Sequence, residues 1–89
     1  MMNAESGAVG VIRIRLFAAL REVAGAGELT DAEGRTVGEV ADALGDRYGE
    51  RFRRIGEVSS YVVNGERASR ETPIADGDEV AILPPVSGG

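Results

Sequence analysis

Apolar and polar residues alternate from Val9 to Phe17. Ile12, Ile14 and Leu16 share one face and Arg13 and Arg15 the other, which is the period-two pattern of a half-buried strand. Phe17 falls on the arginine face, an apolar residue out of phase with its neighbours. Ala18 to Ala24 (AALREVA) then changes to helix formers, with Gly25 placed as its stop. Leu20, Val23 and Ala24 recur at helical spacing and should pack on the sheet. Glu28 to Ala32 predicts a short strand around Leu29, followed by a Glu33-Gly34-Arg35 turn.

Thr36-Val37-Gly38-Glu39 has the spacing of a capping box, in which Glu39 reaches back to the start of the helix. Val37, Val40, Ala41, Leu44 and Tyr48 follow at steps of three and four, predicting the main helix, which ends near Gly49. Beyond it, Arg47, Arg51, Arg53 and Arg54 are interleaved with Asp46, Glu50 and Glu57. That mixture predicts a solvated face, with Phe52 and Ile55 folding an irregular segment onto the core. Val58 to Val63 reads as a strand. Asn64-Gly65 is a strong hairpin signal, because a type I′ turn needs positive φ at both positions. A short return strand (66–68), turn chemistry through Asp76-Gly77-Asp78 and a last strand at Glu79–Leu83 complete the chain.

This order of elements predicts an α+β fold of the β-grasp (ubiquitin-like) type. It comprises a mixed sheet of about five strands, one main helix and a short helix after the first strand. Residues 1–8 form a frayed extension, 9–83 the domain and 84–89 an extended tail. In such a layout the first and last strands are parallel neighbours. Phe17 and Leu83 then meet at one end of the sheet, facing away from the main helix, as a partner-docking patch beside the tail. Arg21 and Arg67 are taken as cations of the same surface.

Composition narrows the chemistry. The 89 residues include no Cys and no His, which excludes thiolate metal sites, imidazole bases and Ser-His or Cys-His nucleophiles. No metal site is expected, since the Asp76, Asp78 and Glu79 cluster reads as turn chemistry. A net charge of −5 disfavours nucleic acid as a partner. All ten basic residues are Arg, so the chain offers no ε-amine for isopeptide formation. No secretion signal or membrane span is read, and a cytoplasmic location is expected.

The remaining candidate is the ending Pro84-Pro85-Val86-Ser87-Gly88-Gly89. Two prolines cannot join a sheet ladder, and they hold the root of the tail away from the body. Six extended residues span about 20 Å, enough to enter a pocket of another protein, and the final glycines pass through a slot one backbone wide. The reactive group would be the Gly89 carboxylate. It is a poor acyl donor until converted to an acyl-adenylate, from which sulfur can displace AMP to leave a thiocarboxylate.

Phe17-Ala18-Ala19-Leu20-Arg21-Glu22, Val63-Asn64-Gly65, Asp76-Gly77-Asp78-Glu79-Val80 and the Pro-Pro-Val-Ser-Gly-Gly ending together resemble the MoaD family, the small sulfur-carrying subunits of molybdopterin synthase. The resemblance covers residues 9–89. It implies adenylation of Gly89 by an E1-like enzyme of the MoeB type using ATP and Mg²⁺, then sulfur installation by a sulfurtransferase. The tail would insert into a large MoaE-type subunit and donate sulfur to cyclic pyranopterin monophosphate, giving the molybdopterin dithiolene. The resemblance further implies a heterotetramer of two small and two large subunits, with the catalytic residues in the large one. No cofactor would be bound by this chain itself. A carrier for thiazole (ThiS-like) or cysteine synthesis, a ubiquitin-like protein modifier and a plain interaction module remain open alternatives.

Overall fold

The computed structural model describes residues 11–85. The expected extension at 1–8 and the tail positions Val86, Ser87, Gly88 and Gly89 lie outside them.

Strand β1 (Arg13–Leu16) buries Ile14 and Leu16, and Ile12 just before it, while Arg13 and Arg15 stay exposed. It is shorter than the alternation suggested, and Val11 is 55% exposed. Helix α1 (Ala18–Ala24) follows with no linker, buries Leu20 and is capped by Gly25. Strand β2 is reduced to Glu28–Leu29; Ala32, expected within it, is buried beyond its end.

Helix α2 (Val37–Tyr48) carries the predicted stripe, with Val37, Val40 and Leu44 fully buried. The Thr36 hydroxyl accepts from the Glu39 amide at 3.2 Å, as a cap should. The reciprocal arm differs from expectation: the Glu39 carboxylate accepts from the Arg35 amide at 2.8 Å, one residue upstream of the cap.

The segment expected to be irregular is instead a third helix, α3 (Glu50–Glu57). Gly49, at φ 101°, ends α2 and opens α3, a backbone state that side chains strongly disfavour. Glu50 in the first turn and Arg54 in the last suit the helix dipole. Phe52 is buried, and its ring centroid lies 5.4 Å from that of Tyr48. The arginines do form a charge-mixed face: Arg47 pairs with Asp31 at 2.9 Å, Arg53 with Asp46 at 2.8 Å and Arg54 with Glu50 at 3.6 Å.

Strands β3 (Ser60–Val63) and β4 (Glu66–Ala68) form the hairpin around Asn64-Gly65, whose φ values of 51° and 83° are those of a type I′ turn. Strand β3 begins two residues later than expected, because the last turn of α3 takes in Val58. Strand β5 (Glu79–Leu83) lies centrally, parallel to β1 and antiparallel to β3. The sheet order β2-β1-β5-β3-β4, with the helices over one face, is the expected β-grasp. Ile14, Leu16, Val80, Ile82 and Tyr61 form the sheet side of the core.

Candidate functional site

The site is the end of the sheet from which the tail departs. Leu16 lies opposite Ile82, and Ser60 opposite Leu83, so β1 and β5 finish where β3 begins. One residue on, Phe17 leaves β1 still extended (φ −131°, ψ 156°) beside the level of Leu83. The alternation places Ala81 and Leu83 on the face opposite the helices, shared with Arg13 and Arg15. The Arg15 guanidinium is 5.9 Å from the centroid of the Phe17 ring, within cation–π range. Phe17 and Leu83 are both half-buried. After Leu83 the strand stops at Pro84, half-buried, and Pro85, exposed, as expected for residues that have no amide hydrogen to give.

The chain turns from β1 to α1 through Ala18, which has φ 51°. A left-handed alanine costs roughly 1–2 kcal/mol. It makes the reversal possible without a linker: the Phe17 carbonyl accepts from the Leu20 amide at 3.1 Å and the Arg21 amide at 3.4 Å. Leu16 and Leu20 thereby both enter the core, while Phe17 is left at the rim. Helical propensity at Ala18-Ala19 gave no hint of this strain.

Of the two cations assigned to the docking surface, Arg21 is brought to that end and Arg67 is not. Arg67 belongs to the row Arg67–Val62–Ala81–Arg15, on the Leu83 face but further along the sheet. Arg21, exposed on α1, runs beside Gly27, whose carbonyl accepts from the Leu16 amide at 2.9 Å at the end of β1. Arg13 and Arg15 are engaged by Glu79 at 3.4 and 3.2 Å, and Arg13 approaches Glu28 at 3.9 Å.

The acidic turn lies at the opposite end and is structural. One Asp76 oxygen accepts from the Val11 amide at 2.7 Å. Asp78 accepts from the Asn64 side-chain amide at 2.9 Å and the Ala75 amide at 2.8 Å. The Asn64 side-chain oxygen Oδ1 in turn accepts from the Glu79 amide at 3.0 Å. The Asn64 bond, followed by the Ala75 bond, holds the Asp78 carboxyl below its ordinary range. Asp31 is lowered in the same way, first by its hydrogen bond to Arg47 and then by that residue's charge. Among the described residues no group of three or more acidic side chains is placed to hold a metal ion. No helix among them is long and apolar enough to cross a membrane.

Val58, which the apolar run predicts as the start of a strand, instead caps α3, with 64% of its surface exposed, two residues before the Ser60–Leu83 pair.

A five-stranded mixed sheet in the order β2-β1-β5-β3-β4, carrying three helices, defines the ubiquitin-like β-grasp class. The chain belongs to the ThiS family, which it matches over residues 14–89. Small archaeal modifier protein 1 of Haloferax volcanii is 40% identical over 84 residues, covering 84% of this chain and 97% of that protein. The solution structure of small archaeal modifier protein 1 from Methanosarcina acetivorans is 34% identical, with a TM-score of 0.77 over 91% of this chain and 98% of that one. A Pyrococcus furiosus protein assigned as molybdopterin converting factor subunit 1 is 28% identical, with a TM-score of 0.69 over 86% and 99% of the two chains.

Proposed function

We propose that this protein is a carrier whose working group is the Gly89 carboxylate. The observation that carries this reading is the register of β5: in a ThiS-family domain, it delivers the Pro84-Pro85 root of a Gly-Gly ending beside Phe17 and Leu83. An E1-like enzyme of the MoeB type joins the carboxylate to AMP at the expense of ATP, with Mg²⁺, releasing pyrophosphate. Hydrosulfide-level sulfur from a sulfurtransferase then displaces AMP and leaves a thiocarboxylate. Val86, Ser87, Gly88 and Gly89 thread into the partner's slot, while Phe17 and Leu83 dock against its mouth and Arg21 and Arg67 contact it further out. The free energy of docking offsets the ordering of a side-chain-poor tail.

The destination we favour is the large MoaE-type subunit of molybdopterin synthase, where the sulfur builds the dithiolene. The likeness to the Pyrococcus furiosus protein supports it, as do the motifs around Phe17, Asn64 and Asp76. A second reading is favoured by the 40% identity to a small archaeal modifier protein: the adenylated Gly89 is passed to lysines of other proteins. Both readings share the activation step. In the second, the absence of Lys leaves the chain without side-chain amines on which to extend itself. Reconstitution separates them. Thiocarboxylated protein mixed with a MoaE-type subunit and the cyclic pterin should yield molybdopterin. Absence of product, together with mass-shifted conjugates on target lysines, would transfer the function to the modifier.

A further inference from the structure

Asn64-Gly65 shapes the β3–β4 hairpin, and it is also a sequence at which a polypeptide readily attacks itself. The chain has two asparagines, Asn3 and Asn64, and no glutamine, and only Asn64 precedes a glycine. A glycine amide has no Cβ beside it to hinder its approach to the preceding carboxamide. At Gly65 the space is open as well: a Cβ built there would meet no atom within 4 Å. Both residues are exposed to water.

The fold holds Asn64 at three points. Its backbone amide donates to the Glu79 carbonyl at 2.9 Å. Its side-chain Oδ1 accepts from the Glu79 amide at 3.0 Å, and its Nδ2 donates to Asp78 Oδ1 at 2.9 Å. Asp78 is itself fixed. Its Oδ2 accepts from the Ala75 amide at 2.8 Å, its amide donates to the Ala75 carbonyl at 3.0 Å, and its carbonyl accepts from the Arg13 amide at 3.0 Å. Both ends of the Asn64 carboxamide are thus engaged by an anchored partner, and the group is not free to swing over the Gly65 nitrogen while both bonds hold.

We propose that Asn64 is a latent self-modification site, whose clasp on Asp78 and Glu79 withholds its carboxamide from Gly65. When the clasp opens, the Gly65 nitrogen bonds to Asn64 Cγ, the Cγ–Nδ2 bond breaks, and ammonia leaves with the Gly65 amide proton. Water opens the resulting five-membered succinimide at either carbonyl, leaving aspartate or isoaspartate. Neither product restores the clasp. Aspartate at this position sets a carboxylate against that of Asp78, so like charges replace a hydrogen bond. Isoaspartate adds one carbon to the main chain, which a two-residue type I′ turn cannot absorb without losing register. The deamidated turn is therefore a permanent record of time spent open.

The test follows the full chain at mildly alkaline pH by intact mass, reading replacement of an amide NH2 by OH and placing it at Asn64 by fragmentation. Two hydrogen bonds must break before attack, so the folded chain should react about tenfold or more slowly than the same chain unfolded in concentrated urea. Urea below the unfolding transition should change the folded rate less than about twofold, because local opening exposes little surface. Asp78→Ala removes one end of the clasp and should react at least about fivefold faster than the wild type, with thermal unfolding checking that it folds. Should it not fold, the wild-type rates decide alone. Equal rates in the folded and unfolded chain overturn the proposal, as does the wild-type rate in a folded Asp78→Ala. A steep rise below the transition does so too, since it would route the reaction through global unfolding. An unfolded chain that keeps its amide removes the site itself.

Discussion

Alanine placed at two glycines of the same helix should move stability in opposite directions. Gly38 and Gly45 are both buried in α2, and glycine inside a helix costs about 1 kcal/mol relative to alanine. The intrinsic gain is therefore equal, and what the new Cβ meets decides the sign. At position 45 it would come within 3.1 Å of the Arg53 guanidinium, the far end of a flexible side chain. That group is held by Asp46 in a pair whose side chains are 37% and 79% exposed, a type worth no more than about 1 kcal/mol, and a shift of a few tenths of an ångström need not break it. At position 38 the Cβ would meet both the Arg70 guanidinium and the Arg70 carbonyl oxygen at 3.1 Å. That carbonyl cannot retreat freely, because it accepts from the Gly38 amide at 2.9 Å and the adjacent Val37 amide donates to the Thr72 carbonyl at 3.0 Å. Lengthening these bonds leaves buried donors unsatisfied, at about 1–3 kcal/mol. Gly45→Ala should therefore stabilise by about 0.5–1 kcal/mol. Gly38→Ala should destabilise by up to about 2 kcal/mol once the helical gain is subtracted. For a domain of this size each kcal/mol moves Tm by about 4–8 °C, so far-UV circular dichroism melts, backed by urea titrations, resolve both. Shifts of the same sign in the two variants would refute the reasoning.

Three further predictions concern the ends of the sheet. Ala18→Gly relieves the left-handed strain but frees the unfolded chain, for a net gain of about 0.5 kcal/mol; a lower Tm would count against the strain. Asn64→Ala should cost about 1–2 kcal/mol at neutral pH and also flatten the acid dependence. Asp78 has a folded pKa below its unfolded value near 3.9, so its contribution is present above about pH 4 and lost as pH falls through the folded value. Unfolding midpoints at pH 7 and pH 3 should converge more in the variant than in the wild type, and equal pH dependence would contradict the assignment. Phe17→Asp or Leu83→Asp should weaken binding to a MoaE-type subunit about tenfold or more; unchanged complex formation by both would remove the patch from the docking surface.

Much of this architecture is legible in the chain because its signals are periodic. Ile12, Ile14 and Leu16 announce a strand, Val37 to Tyr48 a helix, and Asn64-Gly65 a hairpin, and each reads correctly without tertiary context. Helix α3 was hidden by its own charge. ERFRRIGE shows only Phe52 and Ile55 at helical spacing, and the helix depends on the Gly49 break and on packing against Tyr48. Val58 was lost because Val58-Ser59-Ser60-Tyr61-Val62-Val63 is a continuous run of residues compatible with a strand, while the α3 terminus claims its first member through a bond from the Val58 amide to the Ile55 carbonyl. At the site, alternation and topology together put Phe17 and Leu83 at one end. The position of Arg67 depended on strand order, which no local pattern encodes.

The central claim is that the chemistry belongs to a backbone carboxylate, and intact-mass measurement tests it most directly. The protein is incubated with its adenylating enzyme, ATP, Mg²⁺ and a sulfur donor, beside a chain lacking Gly89. The account predicts that the full chain gains the mass difference of one oxygen replaced by sulfur, located at Gly89 by fragmentation, and that the shortened chain gains nothing. An unchanged full-length mass, or the same gain in both chains, would contradict it.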